Sequence, residues 1–509
     1  MWKLIKYNFG NYLKVGTENF NQFVFLLTIV FSIALRFLHF VEMIDDPHGW
    51  RQCDTANYIW DYYKNGVDFL HPAVCWMGGY KTLVLEFPLT EAIVAWLYQI
   101  FGPSISIARL FFLFFYSLGV YYFYKSFLLF LPKKTTLFST IIYTFLPLSY
   151  YYSRALHIDF FALSFAFGMC YFYTVGIQLQ STKKIVIGSL FATVAFLVKA
   201  PYALSFCIPL IYIISKEKKW FFCLKWSVLF IFPVVIFAWW IIKSKHINAM
   251  APDWQFIPGY RKFDDNNKWY FGLFEHRFIW RSWATLFDRL MTDLSAGFIG
   301  AGLFIIGIFA AFKQKYIVLW LWFLGVILYL LLFFNLNVIH NYYQIPFVPL
   351  FAIFITIGIE FLNNFFKFKS SYVSIKLFLL IAIIISSIIY AESTYFKHEV
   401  IYENIAKCIE DNTQENDLVI VSCGGLSVHC PIILHRAKRN GWSIPVADLN
   451  QKITTNLVKE NCKYIAFVAE ELPKNEFGDF LKLYPIKDIP IQKGKHLFLV
   501  NLGCKNEIQ

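Results

Sequence analysis

Long apolar runs separated by short polar segments make up most of the first 390 residues of the chain. An α-helix needs about 20 apolar residues to cross the roughly 30 Å hydrocarbon layer of a bilayer. The pattern therefore predicts a polytopic α-helical membrane protein with about 11–13 transmembrane helices. The predicted spans are 20–41, 104–131, 135–151, 158–179, 185–199, 201–215, 220–242, 294–312, 316–334, 343–362 and 373–391.

Lysine clusters lie between these apolar runs and predict their orientation. Lys and Arg are enriched in cytoplasmic loops, so each cluster is expected on the cytoplasmic side. With a cytoplasmic N-terminus, the clusters alternate consistently only if segment 88–102 does not cross. That segment is short and carries Glu91 and Gln99, so it is predicted to be a juxtamembrane helix. The clusters are Lys133-Lys134, Lys183-Lys184, Lys216 to Lys219, Lys313 with Lys315, and Lys367 with Lys369.

Composition agrees with a membrane protein, because 58% of the residues are hydrophobic and only 16% are charged. The mean hydropathy of +0.52 excludes an ordinary soluble protein. The formal net charge is +13, but the lysines cluster at the ends of predicted spans. This placement indicates a lipid bilayer as the partner, and we expect no nucleic-acid binding.

At about residue 399 the pattern changes to that of a soluble domain. Short buried strands and amphipathic helices alternate there, which indicates a small α/β domain. We expect a transmembrane domain over 1–394 and an α/β domain over 395–509, which eleven crossings leave on the extracytoplasmic side. The predicted strands are 417–423, 463–469 and 495–501, and the predicted helices are 399–411 and 449–461.

Ionisable side chains gather on one predicted side of the membrane. The first loop, 44–103, and the polar residues of four later loops all fall on the extracytoplasmic side of this topology. Ionisable residues that a membrane protein places close to hydrocarbon usually mark a functional site. We therefore predict a site on this side, with 44–103 as its catalytic loop. The candidates are His48, Arg51, Asp54, Glu86, Arg154, Asp159, Lys199, His340 and Tyr342.

Asp54 is the predicted general base, and Arg51 is a predicted ligand of a donor phosphate. A carboxylate can take the proton of an attacking hydroxyl, and the Arg fork matches phosphate oxygens. The two residues are three positions apart, so a local ion pair that only fixes the loop is the alternative. Glu86 precedes Phe87-Pro88, which would end a helix and could aim the carboxylate at the same cavity. Its alternative role is to cap the helix that follows.

Lys199 breaks the positive-inside pattern at the edge of a predicted span. An unpaired lysine at depth in hydrocarbon costs about 2.5–3.5 kcal/mol, and an anionic ligand such as phosphate would offset that cost. Arg154 and Tyr342 are further candidates for phosphate binding. Asp159 begins a span, where it could be a site residue or simply complement the helix dipole.

Metal binding and a disulfide are left open by the sequence. Glu86 and the histidines His48, His157 and His340 could bind a divalent metal, although no HxxxH or DxD spacing is present. Cys53 and Cys75 lie in the first loop and could pair if that loop is extracytoplasmic.

Five short motifs follow one another along the chain: the first loop with its acidic site, Glu86-Phe87-Pro88, Ser153-Arg154 with Asp159, Lys199-Ala200-Pro201, and His340 to Pro346. Together they resemble the GT-C superfamily of membrane glycosyltransferases, in the bacterial branch related to protein O-mannosyltransferases and the aminoarabinose transferase of lipid A. The resemblance covers about residues 20–360 and depends on several short motifs in the same order. It implies a GT-C-like fold and a polyprenyl-phosphate-linked sugar donor.

The first loop departs from the family pattern. The family's Asp-Glu pair falls on Arg51-Gln52, and its later Arg falls on Asp54, so the charges are exchanged by one helical turn. Phe87 replaces the family's lysine, so phosphate binding would need Arg51 or Lys199. The identity of the base is therefore open, and the candidates are Asp54, Asp45, Asp46 and Glu86.

The resemblance implies an enzyme that transfers a sugar from this donor to an acceptor hydroxyl outside the cytoplasm, with inversion. The acceptor could be lipid A, a glycan or a protein, and the expected location is the bacterial inner membrane. A lipid-linked glycan polymerase or ligase is an alternative that the sequence does not separate. A lipid-sugar transporter would need ionisable or helix-breaking residues at mid-span, whereas these spans have nearly charge-free interiors. An inactive scaffold is the remaining alternative.

Overall fold

The computed structural model describes residues 23–44, 48–366, 375–397, 399–422, 431–492 and 494–504. The chain forms two compact units. The first, called here the helical unit, consists of Met1–Phe40, Arg109–Val234 and Lys268–Tyr395. The second, called the mixed unit, consists of Val41–Ala108, Val235–Asn267 and Phe396–Gln509.

The helices and strands follow one another along the chain in this order. The helices are α1 (Phe23–Leu35), α2 (Gly49–Asn65), α3 (Leu89–Phe101), α4 (Ile105–Phe127), α5 (Lys133–Phe145), α6 (Pro147–Tyr152), α7 (Asp159–Leu179), α8 (Thr182–Leu204), α9 (Cys207–Lys216), α10 (Trp220–Lys225), α11 (Ser227–Asn248), α12 (Asn267–Phe271), α13 (Trp280–Met291), α14 (Phe298–Gln314), α15 (Ile317–Leu332), α16 (Phe334–Ile339), α17 (Val348–Phe366), α18 (Ile375–Tyr395), α19 (Val400–Asn412), α20 (Ile432–Arg436), α21 (Gln451–Lys459) and α22 (Glu476–Leu481). The strands are β1 (Leu418–Ser422), β2 (Asn440–Ser443), β3 (Cys462–Ala469), β4 (Ile486–Gln492) and β5 (Lys495–Asn501).

Among the described residues, six helical segments are long and apolar enough to cross a membrane. This confirms the predicted polytopic helical membrane protein, while the exact number of crossings stays a prediction. Shorter apolar helices, of 10–17 residues, include α1, α3, α9, α14 and α15. The six long segments are Ile105–Phe127, Asp159–Leu179, Thr182–Leu204, Ser227–Asn248, Asn341–Phe366 and Ile375–Asn412.

Two of the predicted spans are each divided between two helices. The predicted span 135–151 is split into α5 and α6 at Leu146, whose extended backbone (φ −55°, ψ 144°) is the conformation favoured before a proline. The predicted span 201–215 is shared between the end of α8 and the ten-residue α9. Within α8 the backbone is non-helical at Lys199 (φ −160°, ψ 76°), two residues before Pro201.

Helices α14 and α17 of the helical unit approach each other at two glycines. A Cβ atom added at Gly307 would lie 1.8 Å from the carbonyl oxygen of Phe354. A Cβ at Gly358 would lie 2.1 Å from the carbonyl oxygen of Leu303. Small residues of this kind let membrane helices pack backbone to backbone.

Arg36 lies just after α1 and is only 1% exposed. Its guanidinium donates to the hydroxyl of Ser153 at 2.6 Å and to the carbonyl of Thr144 at 2.6 Å. It also lies over the Tyr116 ring, 4.9 Å from the centroid. These contacts hold the end of α1 against α5 and the end of α6, and thereby fix the segment that leads into α7.

The mixed unit contains one five-stranded sheet in the order β2-β1-β3-β5-β4. Strands β2, β1 and β3 are parallel, whereas β5 is antiparallel to both β3 and β4. The predicted α/β domain and its three strands are confirmed. Strands β2 and β4 were not predicted, because β2 is short and contains Gly441 while β4 contains Pro490 and the adjacent charged residues Lys487 and Asp488.

The core of the sheet extends beyond the predicted domain boundary at residue 395. Buried residues of the first loop, including Trp76 and Leu83, and of segment 235–267, including Trp254 and Ile257, belong to the same hydrophobic cluster as the sheet residue Trp442. The main chain joins them as well, because Gly441 donates to the carbonyl of Cys75 at 2.9 Å and accepts from the Gly78 amide at 2.8 Å. The α/β domain is therefore packed together with two earlier segments of the chain.

Candidate functional site

Helix α2 carries the first group of candidate residues. It begins at Gly49, and His48 precedes it in the left-handed conformation (φ 54°). Arg51 and Asp54 are therefore both inside the helix, one turn apart on one face. Their side chains are buried, at 7% and 2% exposure.

Arg51 and Asp54 each contact a residue from a later part of the first loop, whereas the alternative considered from the sequence was an ion pair between the two. The guanidinium of Arg51 donates to the Glu86 carboxylate at 2.7 Å, across 35 residues of chain. The Asp54 carboxylate accepts a hydrogen bond from the indole nitrogen of Trp76 at 2.9 Å. Arg51 is near enough to lower the pKa of Asp54 electrostatically. We call Arg51, Asp54, Trp76 and Glu86 the first-loop cluster.

Burial dominates the acid–base properties of this cluster. It raises the pKa of Asp54 to about 7, against the opposing effects of Arg51 and of the Trp76 hydrogen bond. Burial also raises the pKa of Glu91 to about 7, although its carboxylate accepts a hydrogen bond from Thr90 at 2.6 Å. In the sequence, Glu91 indicated only that segment 88–102 does not cross the membrane. Its burial, which makes it a candidate for acid–base chemistry, is visible only in the folded structure. A carboxylate with a pKa near 7 is suited to general base catalysis.

The second group of candidates lies in the helical unit, at the start of α7. The Asp159 carboxylate is 0% exposed and accepts from the Lys199 ammonium at 2.8 Å. The imidazole Nδ1 of His157 lies 2.5 Å from the other carboxylate oxygen, and the Tyr202 hydroxyl also donates to Asp159. We call Asp159, Lys199, His157 and Tyr202 the Asp159 cluster. Asp159 is thus more than a complement to the helix dipole.

The break in α8 positions Lys199 within this cluster. Its ammonium lies 4.4 Å from the ring centroid of Tyr343 and 5.4 Å from that of Tyr342, within cation–π distance. The ion pair with Asp159 offsets the free energy that an unpaired buried lysine would cost. Burial of Lys199 therefore does not by itself require an anionic ligand. An ammonium has three N–H donors, of which Asp159 receives one.

Tyr342 and His340 join this cluster through ring contacts. Tyr342 packs against His157 with ring centroids 4.5 Å apart, and His340 stacks on Tyr342 at 5.1 Å with an interplanar angle of 10°. His340 is 7% exposed and Tyr342 1% exposed. Arg154 is buried too, and it donates to the carbonyl of His39 at 3.0 Å.

A buried carboxylate that the sequence did not single out supports the same segment. Asp293 accepts from Asn341 at 3.1 Å, from Tyr390 at 2.8 Å, and from Tyr395. Asn341 in turn accepts from the Tyr152 hydroxyl at 2.8 Å. The ring of Tyr152 lies 5.3 Å from that of His157. Because Asp293 is separated from its partners by dozens of residues, no local pattern could have identified it.

The structure thus brings Arg51, Asp54 and Glu86 together in the mixed unit, and Asp159, Lys199, Tyr342 and His340 together in the helical unit. The common side predicted for both groups stays a prediction. His48 lies at the start of α2, with its ring centroid 6.5 Å from that of Trp50. The alternative bases Asp45 and Asp46 lie outside the described residues.

The metal hypothesis has no support from the residues that the structure describes. Among them, no group of three or more His, Cys, Asp or Glu side chains is arranged to hold a metal ion. The carboxylate of Glu86 is engaged by Arg51 instead. Cys53 and Cys75 are both buried thiols rather than a disulfide.

Comparison with known proteins gives a family match over part of the chain. Residues 86–242 match the family model described as dolichyl-phosphate-mannose-protein mannosyltransferase. This segment includes Glu86 and the whole Asp159 cluster. No curated protein sequence matches the chain.

Solved structures match over almost the whole chain. ArnT from Cupriavidus metallidurans matches in its apo state with a TM-score of 0.54 and 12% identity, covering 94% of this chain and 97% of that one. ArnT bound to undecaprenyl phosphate matches with a TM-score of 0.54 and 12% identity, over 95% of this chain and 99% of that one. The Archaeoglobus fulgidus oligosaccharyltransferase in complex with Zn and sulfate gives a TM-score of 0.55 and 12% identity, over 92% of this chain and 72% of that one.

The expected fold is therefore confirmed, and a family match supports the expected class over about a third of the chain. The chain has the fold of the GT-C superfamily of membrane glycosyltransferases, and its residues 86–242 match the protein mannosyltransferase family.

Proposed function

We propose that this protein transfers a sugar from a polyprenyl-phosphate-linked donor to an acceptor hydroxyl outside the cytoplasm. We place it in the bacterial inner membrane, with the reaction and the α/β domain on the periplasmic side. The GT-C fold, the mannosyltransferase family match and the fold similarity to an ArnT that binds undecaprenyl phosphate support this proposal. The acceptor would be lipid A, a glycan or a protein.

The Asp159 cluster carries the proposal, because it lies inside the family-matched segment and contains a buried ammonium. Asp159 and the Tyr343 ring hold Lys199 in place, while the remaining N–H donors of the ammonium can bind a phosphate oxygen. Tyr342 and Arg154 are the further residues that we assign to the donor phosphate. His340 and His157 keep Tyr342 in position through their ring contacts.

Asp54 is the proposed general base. Its carboxylate takes the proton from the acceptor hydroxyl while the acceptor oxygen bonds to the anomeric carbon. The bond from that carbon to the donor phosphate oxygen breaks on the opposite face, so the sugar inverts. Arg51, which Glu86 orients through their 2.7 Å contact, is the charge beside Asp54 that we assign to the departing lipid phosphate.

The test measures binding of polyprenyl phosphate to the purified full-length protein. Lys199→Met alone leaves the Asp159 charge buried without the ammonium that it pairs with, so the double variant Lys199→Met/Asp159→Asn is the informative one. We expect the folded double variant to lose at least tenfold in affinity for polyprenyl phosphate. Lys376→Met/Glu360→Gln is the matched control, since it removes another lysine–carboxylate pair (3.2 Å) of the helical unit. Unchanged affinity in the Lys199→Met/Asp159→Asn protein would contradict the assignment.

The alternatives give different outcomes with reconstituted vesicles. A transferase releases polyprenyl phosphate from a monophosphate-linked sugar when acceptor is supplied. A polymerase or ligase uses a diphosphate-linked glycan instead. A lipid-sugar transporter moves the lipid-linked sugar across the bilayer without cleaving it.

A further inference from the structure

A cavity of the helical unit lies among residues that the proposed reaction does not use. Its volume is about 210 Å³. Its walls come from the turn between α4 and α5, the end of α9, and the turn between α14 and α15. These three segments carry the lysine clusters that the sequence predicts on the cytoplasmic side.

Two ammonium groups line this cavity. Lys216 is the last residue of α9, and Lys315 follows α14 in the left-handed conformation (φ 53°). Both residues are exposed. No acidic side chain is among the described residues that line the cavity. The two ammonium groups therefore give the lining of the cavity a net positive charge, and the hydroxyls of Tyr212 and Tyr316 add possible hydrogen-bond partners.

The rest of the wall is apolar and reaches the outer surface of the helices. Leu129 and Ile317 line the cavity and are 38% and 46% exposed, so they form an apolar rim. The first turn of α15 also lines it, and the amides of a first helical turn have no carbonyl partner within the helix. Positive groups beside an apolar rim match a phosphate ester that carries hydrocarbon chains.

We propose that this cavity binds the head group of an anionic phospholipid from the leaflet on the lysine-rich side. The lipid phosphate lies between Lys216 and Lys315, and its acyl chains run along the exposed apolar faces of the flanking helices. The site is separate from the donor site and does not depend on the proposed reaction. It also differs from general attraction of lysines to an anionic surface, because it assigns the lipid to two particular lysines.

The experiment uses full-length protein in detergent, with phosphatidylglycerol or phosphatidylcholine added and bound lipid counted by native mass spectrometry. We expect the wild type to retain phosphatidylglycerol at least fivefold more than phosphatidylcholine. Lys216→Gln/Lys315→Gln should lose that preference. Lys219→Gln/Lys313→Gln is the matched control, because it removes the same charge from the same two segments without touching the cavity. The control should keep the preference within twofold.

Further variants make each outcome decisive. Lys216→Arg/Lys315→Arg keeps both charges and should retain phosphatidylglycerol, so its loss would contradict a charge-based site even if the glutamine variant misfolds. Equal losses in the glutamine variant and its control would show a general surface effect and overturn the proposal. Displacement of the lipid by millimolar inorganic phosphate would overturn the assignment to a lipid. Loss of the lipid in Lys199→Met/Asp159→Asn would instead assign it to the donor site.

Discussion

At the scale of single residues, the environment of Asp54 decides whether it can act as a base. The sequence places this carboxylate beside Arg51 on a helix, but the hydrogen bond from Trp76 and the burial that raises its pKa to about 7 depend on the folded loop. Proximity to Arg51 alone would have predicted a lowered pKa. Desolvation outweighs that attraction here.

The first prediction concerns the pH dependence of the reaction. A base must be deprotonated, so kcat/KM should rise with pH through about 7 and level off above it. Asp54→Asn should reduce kcat/KM at least a hundredfold at pH 8. Asp61→Asn, two turns along the same helix, is the control and should keep the wild-type profile. An acidic limb near pH 4 would exclude Asp54 as the titrating base.

The second prediction concerns stability. Because the pKa of Asp54 is about 7 in the folded protein and near 3.8 in an unfolded chain, the folded state loses stability as pH rises from about 4 through 7. Full ionisation corresponds to a cost on the order of 4 kcal/mol. Asp54→Asn should therefore raise the thermal midpoint more at pH 8 than at pH 5. A thermal midpoint that falls equally at both pH values would contradict destabilisation of the folded state by ionised Asp54.

At the scale of elements, the sequence predicts helix positions well where apolar runs are long and fails where a helix changes direction. The Lys199-Ala200-Pro201 motif marked the end of one span and the start of another, yet the chain continues helically to Leu204. What the motif encodes is a local break that turns Lys199 toward Asp159. The partner of the lysine is 40 residues earlier, so spacing could not reveal the pair.

The third prediction concerns the contact between α14 and α17. Gly307→Ala places a Cβ against the Phe354 carbonyl, so the two helices must separate, at a cost of about 1–3 kcal/mol. Gly302→Ala on the same helix meets no atom within 4 Å and is the matched control. It should be neutral or slightly stabilising, since Ala favours helix over Gly. Thermal unfolding in detergent compares the two, and equal midpoints would contradict close packing at Gly307.

At the scale of the whole molecule, the sequence predicts two classes of structure but not how the chain is divided between them. Composition alone separates a membrane domain from an α/β domain near residue 395. The hydrophobic core of the sheet nevertheless includes Trp76 from the first loop and Trp254 from a segment between predicted spans. Both are aromatic residues in loops, where the sequence gives no sign of which core they enter. Tertiary contact made this part unpredictable.

The fourth prediction concerns that core. The ring of Trp254 packs edge-on against Trp442 at 5.7 Å and against Tyr260 at 6.2 Å. Trp254→Ala should destabilise the mixed unit by about 3–5 kcal/mol and increase proteolysis between β1 and β5. Trp280→Ala, at an 81% exposed position of the helical unit, is the control and should leave the cleavage pattern unchanged. Resistance of the Trp254→Ala protein to protease would contradict a shared core.

The shared core also determines the order of events during synthesis. About 290 residues separate Ala108, at the end of the first segment of the mixed unit, from Phe396, where its last segment begins. At ribosomal rates this interval takes about 15–60 s, during which Trp76 of the first loop has no sheet to cover it. A nascent chain stalled before the α/β region would expose Trp76 throughout. Such chains should be the preferred substrates of membrane quality-control proteases.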